Sequence, residues 1–100
     1  MVVVILLVAC TPALDFAYER ADAVCAWHDR CGTLEAAGFT DESDCKAGLH
    51  AAVKEANVQG ELDCPAYDQA AADACVQAWE DAECGEQVGA SCDGVCGEEG

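Results

Sequence analysis

The chain has one hundred residues, enough for a single domain at most. Twenty acidic residues against four basic ones, Arg20, Arg30, Lys46 and Lys54, give a net charge of −16. Such a surface repels phosphate backbones and anionic head groups, which argues against nucleic acid as a partner and against electrostatic adhesion to membranes. Hydrophobic residues make up 53%, but alanine and nine cysteines account for much of that, and large side chains such as Leu14, Phe16, Trp27, Phe39, Leu49 and Trp79 are sparse. In a scaffold this small, ordering costs of ~1.5 kcal/mol per residue nearly cancel apolar burial, so a further stabiliser is expected.

The first element is the apolar run from Val2 to Ala9. It is far shorter than the ~20 residues needed to span a bilayer and fits the hydrophobic part of a signal peptide over residues 1–9. Its end, Leu7, Val8, Ala9 and Cys10, resembles a lipobox, the apolar, small, small, Cys run at which bacterial lipoprotein precursors are cleaved and lipidated. The resemblance implies a lipid on Cys10, with residues 10–12 as its short tether. No basic residue precedes the run, so a true start lying upstream, with Lys or Arg, is expected.

Setting Cys10 aside leaves eight cysteines, Cys25, Cys31, Cys45, Cys64, Cys75, Cys84, Cys92 and Cys96, the even number that four disulfides require. Zinc sites show paired Cys-x₂₋₄-Cys knuckles; only Cys92 and Cys96 come that close, and no second knuckle or nearby His completes four ligands. Export also means oxidising surroundings, so disulfides are expected, with no metal and no cofactor. Redox catalysis would need Cys-x-x-Cys or an activated thiolate, and the sequence has neither.

Helical periodicity starts just after Pro12. Leu14, Ala17, Tyr18, Ala21, Val24, Cys25 and His28 recur at three- and four-residue steps, and Gly32 supplies a stop after Cys31. Thr40 or Asp41 is placed to cap a second helix over Glu42–Ala56, facing inward through Cys45, Leu49, Ala52, Val53 and Ala56 and ended by Asn57 and Gly60. Asp68 caps a third, alanine-rich helix running to Glu83 or Cys84, with Ala71, Cys75, Ala78, Trp79 and Ala82 inward. The glycine-containing remainder from Gly85 is expected to be a turn or helical fragment pinned by Cys92 and Cys96, and residues 98–100 a frayed tail.

The expected fold is therefore all-α: a small disulfide-stapled up-down-up bundle of about three helices over residues 13–97, with an irregular C-terminal tail. In that arrangement Cys31 at the end of helix one should lie near Cys45 at the start of helix two, and Cys25 near Cys75 on a parallel neighbour. The pairs Cys31 with Cys45 and Cys25 with Cys75 are expected on that basis. Cys25 and Cys31 are six apart, about 120° around a helix, and should reach different partners.

With the Leu7–Cys10 box, the Cys31-Gly32 pair and the segment from Cys64 through Cys75 and Cys84 to Cys96 in place, the chain is similar to the small cysteine-rich lipoproteins found in numbers in some large-genome bacteria. The resemblance implies a location and a fold but no mechanism. Catalytic constellations are absent from the sequence: Ser43 and Ser91 are its only serines and sit in turn or cap contexts, and His28 reads as a core-edge or surface residue. Carboxylate pairs mean little in so acidic a chain, and no EF-hand loop occurs. Trp79 reads as core. Trp27, beside the helix-one stripe, is either a wedge between helices or a partner contact.

The function expected is that of a lipid-anchored, non-enzymatic cell-envelope protein, a structural or protein-interaction module. Its partners would be the membrane, through the lipid on Cys10, and an envelope protein. Thr11 after the lipidated cysteine accords with the bacterial outer membrane, periplasmic or surface-exposed; without the lipid the protein would be secreted. The alternative is a module that binds a small ligand or a divalent cation, with a cavity between alanine-rich helices or a carboxylate cluster.

Overall fold

Pro12 opens the first helix, a position where its missing N–H costs nothing and its fixed φ is already helical. The computed structural model describes residues 12–62, 64, 66–86, 88 and 92–96. Residues 1–11, on which the signal and lipobox readings fall, Ser91, and residues 98–100, expected to fray, lie outside these. Three helices follow in order: α1 Pro12–Cys31, α2 Glu42–Val58 and α3 Gln69–Asp81. The fold is all-α with four disulfides, as the periodicity and cysteine count imply.

Side-chain chemistry next to each helix end explains its position. At the end of α1, the Thr33 N–H donates to His28 O at 2.9 Å and the Gly32 N–H to Asp29 O at 3.3 Å, a closure that needs the left-handed φ of +69° at Gly32. Asp41 caps α2 by accepting the Asp44 N–H at 2.8 Å, while the Asp44 carboxylate accepts the Thr40 N–H at 3.0 Å. In the connector between them, Phe39 folds its ring over Gly48 of α2, where a Cβ would sit 3.0 Å from the ring edge. Asp68 caps α3 through the Ala71 N–H at 3.1 Å. That helix stops at Asp81, slightly short of the expected Glu83 or Cys84, because Ala82 is extended. Its free carbonyls are met by Arg30 of α1, whose guanidinium donates to Ala82 O at 2.8 Å and Trp79 O at 3.3 Å.

The helices run up, down, up. Cys45 meets Cys25 and His50 meets Asp22, so α2 is antiparallel to α1. Phe16 lies against Ala72, Trp27 against Trp79 and Arg30 against Ala82, so α3 is parallel to it. Both pack on α1, and α2 and α3 make no contact with each other. The middle helix consequently buries two faces. Ala17, Ala21 and Cys25 belong to the stripe read from periodicity, or continue it, whereas Phe16 and Ala23 are also buried and were not on it.

The core is small and lies on the α3 side. Phe16, Ala72, Cys75 and Val95 form its buried cluster, with Tyr67, Trp79 and Cys92 packed against it. Val95 belongs to the segment after the helices, which returns beneath the start of α3: the Asp68 N–H donates to Val95 O at 2.8 Å. The segment is irregular, as expected, but it supplies the core residues Val88 and Val95, whose place in the core the glycine-rich sequence around them hides.

The bridges are Cys25–Cys45, Cys31–Cys84, Cys64–Cys96 and Cys75–Cys92. Both pairings expected from sequence are thereby corrected. Cys31 does not reach Cys45, because the long connector lets α2 fold back so that its first turn lies level with Cys25, about 9 Å before the end of α1. Cys25 does not reach Cys75, because it faces α2, on the side of α1 away from α3. The expectation that Cys25 and Cys31 reach different partners holds: Cys25 joins Cys45 on α2, and Cys31 joins Cys84, just past α3.

Candidate functional site: an apolar groove between the first two helices

The pairing of α1 with α2 is thin. Of the five residues expected to face inward from α2, only Cys45 is buried; Leu49, Val53 and Ala56 are half-buried and Ala52 is exposed. The opposing residues of α1 at the contact include Ala17 and Ala21, so two helices held together by the Cys25–Cys45 bridge meet through side chains too short to fill the space between them. An open groove of about 360 Å³ results, lined by Ala17, Ala21, Val24, Leu49, Val53 and Leu62 among others, with Arg20 at its edge. That volume is within the ~300–1,000 Å³ range of small-molecule sites. A smaller recess of about 160 Å³ shares Ala17, Arg20 and Leu62 with it and continues toward Ala13 and Phe16 at the start of α1.

Arg20 is exposed, and its guanidinium lies over the Phe16 ring, 5.4 Å from the ring centre. Arg30 is spent on the end of α3, and Lys46 pairs with Glu42 at 3.5 Å within α2; Lys54 of α2 is exposed and does not line the groove. Among the described residues Arg20 is in no ion pair. Glu61, also exposed, is the carboxylate lining the smaller recess.

Beyond the groove, α1 and α2 are joined by a polar tie that sequence reasoning missed. His50 Nε2 lies 2.7 Å from Asp22 Oδ1, and the Tyr18 ring packs edge-on against the imidazole, with centroids 4.8 Å apart. Asp22 sits on the polar side of the α1 stripe and His50 beside Leu49, so only the antiparallel register of the two helices reveals the contact. On the α3 side of α1, a shallow cleft brings together Glu19, Asp22 and Glu80. No three His, Cys, Asp or Glu side chains among the described residues converge closely enough to share a metal ion.

Both tryptophans lie between α1 and α3. Trp27 and Trp79 are half-buried and packed edge to face, with centroids 5.5 Å apart, and Trp79 flanks the core cluster. Trp27 also meets His28, and its indole Nε1 is buried with no hydrogen-bond partner among the described residues. Of the two roles open to Trp27 in the sequence, this packing is that of the wedge. His28 is a core-edge residue, half-buried, with Nδ1 2.7 Å from Thr33 Oγ1. Thr33 is thus a hydroxyl beside a histidine, but the pair belongs to the closure of α1. No carboxylate among the described residues orients the ring from its other nitrogen, as nucleophile activation would require.

Fold and site together define a disulfide-stapled three-helix module with an apolar groove between α1 and α2. No protein-family model matches the chain, and no curated protein or solved structure is significantly similar to it. None of the described helices is long and apolar enough to cross a membrane.

Proposed function

We propose that this chain is a lipid-anchored, non-enzymatic module of the bacterial cell envelope, tethered through Cys10 and held rigid by its disulfides. The observation that carries the reading is the accounting of sulfur. The four bridges use every cysteine except Cys10, and Cys10 is the one that stands in a lipobox-like run. Four disulfides in so small a domain also accord with an oxidising compartment, as export to the periplasm or cell surface supplies. Thr11 after the anchor favours the outer membrane, and an envelope protein or an envelope ligand is the partner class.

The test is the intact mass of the protein isolated from membranes, before and after reduction. The reading predicts a lipid adduct on a chain beginning at Cys10 and a gain of eight hydrogens, two per bridge, on reduction. An unmodified Cys10, or a chain recovered only in the soluble fraction, overturns it. A second reading, favoured by the groove between α1 and α2, is that the module binds a small apolar ligand. The two are compatible, since an anchor sets where a protein works and a groove sets what it holds.

A further inference from the structure

We infer that the α1–α2 groove binds a single-chain anionic amphiphile, a long-chain carboxylate whose alkyl tail lies along the groove and whose head group meets Arg20. This deepens the ligand-binding reading and does not depend on lipidation of Cys10.

Shape and length come first. The groove follows α1 from Ala17 to Val24, about 10 Å at the helical rise per residue, with Arg20 inside that stretch, so it houses the part of an alkyl tail nearest the head group. The walls of this groove are the aliphatic side chains of Ala17, Ala21, Val24, Leu49 and Val53, and Arg20 is the one charged side chain among its lining residues. A narrow, open, aliphatic channel suits an unbranched chain better than a compact ring system.

Charge then selects the head group. Arg20 is the only cation lining the groove and its continuation, and it has no carboxylate partner among the described residues. Its planar guanidinium can take a carboxylate through two parallel hydrogen bonds. In a chain of net charge −16 this attraction is short-range, so it fixes where the head group sits and does little to draw the ligand in from a distance. Arg20 lines both recesses, and because the smaller one also carries the Glu61 carboxylate, a head group held at Arg20 leaves the tail the larger, aliphatic groove.

The experiment uses the full oxidised chain carrying Cys10→Ser, which removes any attached lipid, titrated by calorimetry below micelle-forming concentrations. Three probes share one tail: palmitate, hexadecanol and hexadecylamine. The proposal expects one palmitate per chain, bound more tightly than either of the others. Arg20→Gln should weaken palmitate at least about tenfold, the usual weight of a charged hydrogen bond, and leave hexadecanol unchanged. Ala52→Phe, an exposed position on the groove wall, should reduce binding of all three probes without lowering the melting temperature. Absence of palmitate binding overturns the proposal, as does equal or tighter binding of the amine, or indifference to both substitutions. So does a dimer by sedimentation that Ala52→Phe dissociates, which would make a second copy the occupant. A failed lipid adduct at Cys10 removes the anchor reading alone; a failed titration removes the groove proposal alone.

Discussion

Replacing Cys31 and Cys84 together by alanine measures how far cross-linking, as opposed to packing, holds this fold. Cys84 is exposed and Cys31 half-buried, so the substitution removes little buried surface. The two are 53 residues apart, the longest loop closed by any of the four bridges. The loop-entropy relation for that length gives about 4 kcal/mol of stabilisation, acting on the unfolded chain. Total stabilities of small domains are ~5–15 kcal/mol, so losing this one bridge should bring the protein near its folding threshold. The hydrogen bonds from Arg30 to Trp79 O and Ala82 O span the same junction and keep the folded ends of α1 and α3 together, but they cannot restrict the unfolded chain. Urea titration followed by circular dichroism at 222 nm, without reductant, should show the loss of about 4 kcal/mol together with a steeper dependence on urea, as the freed chain exposes more surface. The pair Cys25 and Cys45 is the control. It closes a loop of only 20 residues, worth about 3 kcal/mol, but both sulfurs are fully buried, so a packing loss is added. A loss below about 1 kcal/mol for Cys31→Ala with Cys84→Ala, at unchanged urea dependence, would refute the view that this bridge works through the unfolded chain.

Helix ends and alkaline pH give further tests. Asp41→Ala and Asp68→Ala each remove a carboxylate that accepts a first-turn N–H, and each should cost about 1 kcal/mol in thermal or urea unfolding. Gly32→Ala forces a Cβ into a left-handed conformation and should cost about 1–2 kcal/mol, although the space around it is empty. Partial burial, and then the carboxylates of Asp73, Glu19, Asp15 and Asp68, hold the Tyr67 phenol above its ordinary value of 10.0. The folded state therefore keeps that proton more tightly than the unfolded chain. Its contribution to stability is intact below about pH 10 and is lost as pH rises through the folded value. Absorbance titration at 295 nm should show a late-ionising phenol that Tyr67→Phe removes.

Much of the helical framework was legible because its signals are local. Asp41 and Asp68 each accept an N–H three residues on, and Gly32 closes the helix that immediately precedes it, whereas Pro12, expected in the tether, is the first residue of α1. The groove was only half legible. Ala17, Ala21, Ala52 and Ala56 stand at helical spacing, which shows that two small-residue faces exist, but not that they meet across a gap. Phe16 and Ala23 were missed as core for a related reason. A single apolar stripe is what a helix with one neighbour shows, and α1 has two.

The sequence by itself determined that the fold is helical, where α2 and α3 begin, and that eight cysteines must be shared among four bridges once Cys10 is set aside. Those properties follow from contacts between near neighbours and from parity. The tertiary structure alone decided that Cys25 joins Cys45 and Cys31 joins Cys84, that His50 meets Asp22, and that Arg20 stands over an apolar groove. Each depends on the register in which α2 folds back along α1 and on which side of α1 is left for α3. That register is set by the packing of residues tens of positions apart, and no local pattern in the chain records it.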